Sequence, residues 1–116
     1  MKTVSEKDKI SIPELKLMSE KMFGGLVKAV VDIEQKIMVV DAGLHADQEY
    51  LLLEEGSQQE HLWGINIFPE QFGKDEFIVF DSMINLRPGF GNRSRGVDNP
   101  KIQTVIREIV HKLVIT

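Results

Sequence analysis

The spacing of apolar residues changes period several times along the chain. Between Ile12 and Phe23, Leu15, Met18 and Met22 recur at helical intervals and share one face. The start of that helix is written in Ser11-Ile12-Pro13-Glu14. Ser11 can accept from an amide three residues on, Glu14 can reach back, and proline is tolerated in a first turn, where its missing N–H would have had no partner. Gly24-Gly25 supplies the left-handed backbone that ends helices, so the pattern predicts a helix over 12–23 that covers a sheet.

From Leu26 the period shortens. Residues 26–33 and 36–41 are rich in β-branched side chains and flank Glu34-Gln35, which predicts an antiparallel hairpin. That pair contains neither Gly nor Asn and leaves the register open. Val27, Ala29, Val31 and Ile33 point one way; Lys28 and Asp32 interrupt the other face beside Leu26 and Val30, so that face should be partly wet. A short helix is predicted over 47–55, with Asp47 as its cap, Tyr50, Leu51 and Leu53 at helical spacings, and Gly56 as its stop. Residues 61–68 and 77–86 read as a second hairpin around a polar turn. Ile78, Phe80, Ile84 and Leu86 form one face of its last strand, and Asp81, Met83, Asn85 and Arg87 form the other. Residues 87–99 carry glycines and no apolar period, making the longest irregular connection. Asn99-Pro100 then opens a helix whose stripe runs through Ile102, Val105, Ile106, Ile109, Val110 and Leu113.

The predicted order is α-β-β-α-β-β-α, an α+β domain over 1–116 in which an antiparallel sheet of two β-hairpins is packed with three helices. A short N-terminal edge strand near residues 3–5 is a further candidate. The two helix-hairpin units share no residue-level repeat.

Composition narrows the setting. The chain has 116 residues, 42% of them hydrophobic, enough for one continuous core. It contains no cysteine, which excludes disulfides and Cys-based zinc sites. Residues 1–12 lack the apolar core of a signal peptide, and no apolar run is long enough for a membrane span, so a cytoplasmic location is expected. The net charge of −4 conceals a gradient: residues 41–86 hold ten acids against one base, and residues 87–116 hold six bases against two acids. Mutual attraction of these segments is the simplest account, and nucleic-acid binding is not favoured. Tyr50 and Trp63 lie away from basic residues and offer no base-stacking platform.

Candidate chemistry concentrates in residues 85–96, where Arg87, Arg93 and Arg95 sit among glycines and amides. Arginine forks suit carboxylate or phosphate, and a glycine-rich backbone lets a ligand approach. The competing account is that these arginines pair with the acidic middle of the chain. Neither a P-loop nor a dinucleotide-binding glycine pattern is present, and no cofactor can be named. Asp41, His45 and Asp47 have donor types suited to a divalent cation, but their spacing is not diagnostic; a helix cap at Asp47 and a loop role for His45 explain them equally well, and no metal site is assigned.

Asn66, Asp81 and Asn85 on the polar strand faces could join His45, Asp47 and the loop arginines around a small anionic ligand. His45 or Asp81 would then be the proton carrier if the site were catalytic. The alternative is a non-enzymatic interaction protein, a homodimer or a regulatory partner, whose Arg loop docks an acidic surface.

The strings Asp41-Ala42-Gly43-Leu44-His45-Ala46-Asp47, Leu62-Trp63-Gly64-Ile65-Asn66, Phe80-Asp81-Ser82-Met83-Ile84-Asn85 and Gly91-Asn92-Arg93-Ser94-Arg95-Gly96, in this order, resemble a family of small prokaryotic proteins known as a domain of unknown function. The resemblance covers nearly the whole chain and implies no activity, cofactor or partner.

Overall fold

A computed structural model describes all 116 residues. The strands and helices in chain order are β1 (Lys2–Val4), β2 (Ile10–Ser11), α1 (Ile12–Ser19), β3 (Val27–Asp32), β4 (Ile37–Val40), α2 (His45–Glu54), β5 (Leu62–Ile67), β6 (Ile78–Val79), α3 (Pro100–Leu113) and β7 (Val114–Ile115), with short 3-10 turns between α2 and α3. Five strands form an antiparallel sheet in the order β1-β4-β3-β5-β6, and a parallel β2-β7 pair ties the two ends of the chain together. The fold is α+β, and the N-terminal edge strand is present.

Register assigns each residue to a face. On β3 and β5, Val27 pairs Ile67, Ala29 pairs Ile65 and Val31 pairs Trp63. These side chains meet α1 through Ile12 and Leu15 and α3 through Ile106, Ile109, Val110 and Leu113 in one large apolar cluster. The opposite face is thinner. There Val30, Val39 and Leu62 pack only against Leu52 of α2, with Leu51 and Ile84 at the margin. Beyond that patch the same face carries the cross-strand pair Lys28 and Asn66, polar because no helix covers it.

Local chemistry explains where the elements begin and end. Ser11 caps α1 by accepting from the Glu14 amide at 3.2 Å. The helix stops at Ser19 rather than Phe23. The Ser19 hydroxyl donates back to the Lys16 carbonyl at 2.7 Å, the Lys21 and Met22 amides make three-residue turns, and Phe23 is fully exposed, so extending the helix to it would bury no further apolar side chain there. In the β3–β4 turn the role of a turn glycine falls to Asp32, 1% exposed. Its carboxylate accepts from the Glu34 and Gln35 amides and from the Ser57 hydroxyl, and Lys36 takes the left-handed conformation at φ 58°.

Two other predictions are corrected. Helix α2 begins at His45 with Leu44 at the N-cap, and Asp47 lies inside the first turn. Its buried residues are His45, Gln48 and Leu52, whereas Tyr50 is exposed. The predicted strand over 77–86 pairs only at Ile78 and Val79. After Phe80 the chain leaves the ladder: the Ser82 amide donates to the Arg95 carbonyl at 2.9 Å, and the Ser82 hydroxyl accepts from the Ile84 amide, opening a 3-10 turn over Met83–Asn85. That turn presses its residues against β5. The Asn85 side chain accepts from the Gly64 amide at 2.8 Å and donates to the Gly64 carbonyl at 2.9 Å. A side-chain amide thus supplies the bonds a sixth strand residue would make.

Glycine at position 64 is a requirement of this close approach, since a Cβ there would lie 2.6 Å from both Cβ and Oγ of Ser82. Gly64→Ala is expected to destabilise by about 1–3 kcal/mol through overpacking. Asn85→Ala, which strips a fully buried amide from three backbone groups, should cost at least about 3 kcal/mol. Urea unfolding midpoints test both; wild-type stability in either variant would contradict the surrogate-strand account.

Candidate functional site

The uncovered part of the second sheet face is the floor of a pocket of about 230 Å³ lined by Lys28, Leu44, His45, Ala46, Asn66, Asp81, Ser82, Met83, Ile84 and Arg95. Five segments build it. β3 and β5 contribute Lys28 and Asn66, the start of α2 contributes Leu44 to Ala46, the 81–84 turn forms a third wall, and the long loop adds Arg95.

Each polar group is held by an identifiable contact. The His45 ring is buried, and its Nε2 lies 2.7 Å from the Ile65 carbonyl. A carbonyl only accepts, so this nitrogen carries a proton, and Nδ1 is the acceptor of the neutral ring. Burial lowers the His45 pKa, the Ile65 carbonyl opposes that, Lys28 and Arg95 lower it further, and Asp81 raises it. The ring is therefore neutral at pH 7. Arg95 donates from Nε to Asp81 at 2.8 Å, with both side chains about half exposed. Its backbone is fixed more firmly than its head group, because the Arg95 carbonyl accepts from the Ser82 amide and the Asn85 side chain. Asn66 donates to the Asp81 carbonyl at 3.3 Å, and its buried Oδ1 has no partner.

The N-terminus of α2 opens on the same pocket. No side chain caps it, because the N-cap is leucine. Apart from the Asp47 amide, which donates to the Leu44 carbonyl at 3.2 Å, the first-turn amides have no intrahelical acceptor, and the dipole adds a partial positive charge. Lys28, Arg95 and the helix end together outweigh the single carboxylate of Asp81.

Four of the sequence candidates, His45, Asn66, Asp81 and Arg95, are brought together. The other four are not. Asn85 is fully buried and spent on the backbone of Gly64 and Arg95. Arg87 donates to the carbonyls of Gln59 and Leu62 and stacks on Trp63, its Cζ 4.5 Å from the ring centroid; burial lowers its pKa, opposed by Glu49. Both hold the structure rather than line the pocket. Arg93 is exposed outside it, and its amide donates to Asp98 at 2.7 Å. Asp47 is exposed on α2. The possible cation cluster also disperses: Asp41 pairs with Lys21 at 3.5 Å, and no group of three His, Asp or Glu side chains could hold a metal ion.

Sequence reasoning overlooked Lys28 and Ser82 as pocket residues. Lys28 was legible as an interruption of the second face of its strand, but only the pairing of β3 with β5 sets it beside Asn66. Ser82 lay in a stretch that alternates like a strand and is a turn.

All four strings that carry the family resemblance supply pocket residues: Leu44 to Ala46 from the first, Asn66 from the second, Asp81 to Ile84 from the third and Arg95 from the fourth. The chain belongs to the family described as Protein of unknown function (DUF5674), whose model matches residues 4–113. No curated protein and no solved structure gives a significant match. No helix is long and apolar enough to cross a membrane.

The depressed pKa of His45 makes stability depend on pH. The unfolded chain holds this proton more tightly, with the ordinary value of 6.5, so stability rises with pH across the interval between the folded and unfolded values. The contribution is fully present above the unfolded value and is lost as pH falls through it toward the folded one. Urea midpoints should fall between pH 7.5 and 5.5 in the wild type and fall less in His45→Gln; equal slopes would show that this ring does not carry the effect.

Proposed function

We propose that the chain is a binding domain for a small anion, a carboxylate or a phosphate monoester, held in the pocket between β3, β5, the start of α2 and the 81–84 turn. The observation that supports this is the convergence of Lys28, Arg95 and an uncapped helix N-terminus on one concavity. Cationic side chains and free helical amides recognise the same ligand charge. A neutral His45 adds an acceptor, which becomes a donor once the ligand's negative charge raises its pKa. That coupling would also equip His45, with Asp81 as the second titratable group, to move a proton on the ligand if the domain is catalytic.

The interaction-protein reading, in which the Arg loop docks an acidic surface, has weaker support. Arg87 is committed to carbonyls inside the structure and Arg95 to Asp81, which leaves Arg93 as the loop arginine whose side chain has neither a hydrogen bond nor an ion pair.

Thermal unfolding against phosphate and short carboxylates at matched ionic strength tests the proposal, because a ligand that binds only the folded state stabilises it by about 2.7 kcal/mol at one hundred times its Kd. The shift should vanish in Lys28→Ala and Arg95→Ala and persist in Arg93→Ala. Leu44→Asp should act in two directions. It gives α2 a side-chain cap, worth about 1 kcal/mol to the ligand-free protein, and sets a carboxylate where the anion would sit. A higher melting point with no anion response is the expected pair of results; an undiminished anion response in all three pocket variants would refute the site.

A further inference from the structure

Resting on the anion-site reading, we infer that the ligand is amphipathic, an anionic head group bearing a short apolar tail, and that Leu44 and Met83 receive the tail. Both residues line the same pocket as Lys28 and Arg95, and both are largely exposed, at 58% and 62%. Single exposed apolar side chains are ordinary on a protein surface. Two facing one small polar pocket, one of them at a helix N-cap, are a different case. A leucine there gives no hydrogen bond to α2 and forgoes the stabilisation a Ser, Asp or Asn would give. In the ligand-free protein it also buries little of its own surface. The residue gains from its position only when something apolar covers it.

The pocket divides accordingly. Lys28, His45, Asn66, Asp81 and Arg95 supply charge and hydrogen bonds, and Leu44, Ala46, Met83 and Ile84 supply apolar wall. Methionine adapts to tails of different shape because it is unbranched and polarizable. At about 230 Å³ the space is small, below the range common for drug-sized ligands, roughly 300–1,000 Å³. A head group and a few carbons are the scale that fits. A second concavity of about 170 Å³, lined by Met18, Met22, Val27 and Ala42 among others, adjoins the first at Lys28. It is the rival location for the tail, and the test separates the two.

The experiment is calorimetric titration of the full chain with the straight-chain acids acetate, propanoate, butanoate and hexanoate, and with the matching alkyl phosphates, at constant ionic strength. Affinity should rise by up to about fourfold for each methylene buried, the equivalent of ~0.8 kcal/mol, and level off once the tail outgrows the rim. Leu44→Ala together with Met83→Ala should flatten this chain-length dependence by bringing butanoate and hexanoate down toward the affinity of acetate; both side chains are exposed, so the fold should tolerate the change. Met22→Ala should keep the dependence. Affinity that does not vary with chain length, or a dependence lost in Met22→Ala and kept in the double variant, overturns the inference. Absence of binding by every acid and phosphate overturns the anion site itself, a distinguishable failure.

Discussion

The arrangement of the pocket depends on one buried carboxamide. Asn85 matches the amide and the carbonyl of Gly64 with the two ends of its side chain, and its Nδ2 also donates to the Arg95 carbonyl. A peptide group left unpaired at that edge of β5 would cost on the order of 1–3 kcal/mol for each polar atom. Asn85 satisfies it without a strand, and the chain is free to turn at Met83. The backbone oxygen of Asn85 in turn accepts from Asn92, whose Nδ2 also donates to the carbonyls of Ser94 and Gly96. The long loop is therefore stitched to the sheet through two amide side chains, and Arg95 reaches the pocket on a backbone that is fixed.

The unequal faces of the sheet supply the other half of the site. On one side α1 and α3 close over β3, β4 and β5, and the apolar cluster is continuous. On the other, α2 is the sole α-helix packed on the sheet, and its apolar contact reduces to a small patch around Leu52. Gln48 secures that helix by donating from Nε2 to the Lys28 carbonyl at 2.7 Å. The start of α2 therefore stops beside Lys28 and Asn66, and the 81–84 turn closes the far side. A longer or more apolar second helix would have covered both residues and erased the pocket.

Legibility in the sequence followed the range of the forces involved. The capping of α1 by Ser11 and of α3 by Asn99, and the apolar stripe of α3, rest on neighbours within a turn or two, and all were readable. The β3–β4 hairpin was readable from its β-branched runs, but its turn depends on Asp32 bonding to Ser57, twenty-five residues away. The misread stretch 80–86 shows the limit most clearly. Ile84 and Leu86 alternate as a strand would, and nothing local says that Asn85 will replace the ladder. That outcome needs Gly64, far along the chain, to leave room for Ser82. The start of α2 failed for a related reason: Asp47 is the better cap by chemistry, yet the burial of His45 against Ile65 draws the helix back to a leucine cap.

The three arginines of the loop show why composition alone could not separate structure from site. Arg87 is half-buried, stacked on Trp63 and committed to two carbonyls; removing it from those partners would strand polar groups in a poorly solvated place, so it is not exchangeable. Arg95 differs in kind. Its ion pair with Asp81 lies between half-exposed groups, a setting in which such pairs contribute at most about 1 kcal/mol. A ligand anion can displace or share that partner at little cost, while the backbone of Arg95 stays anchored by Ser82 and Asn85. A rigid backbone carrying a weakly engaged cation is the arrangement an anion site requires, and of the three arginines Arg95 alone has it at the pocket.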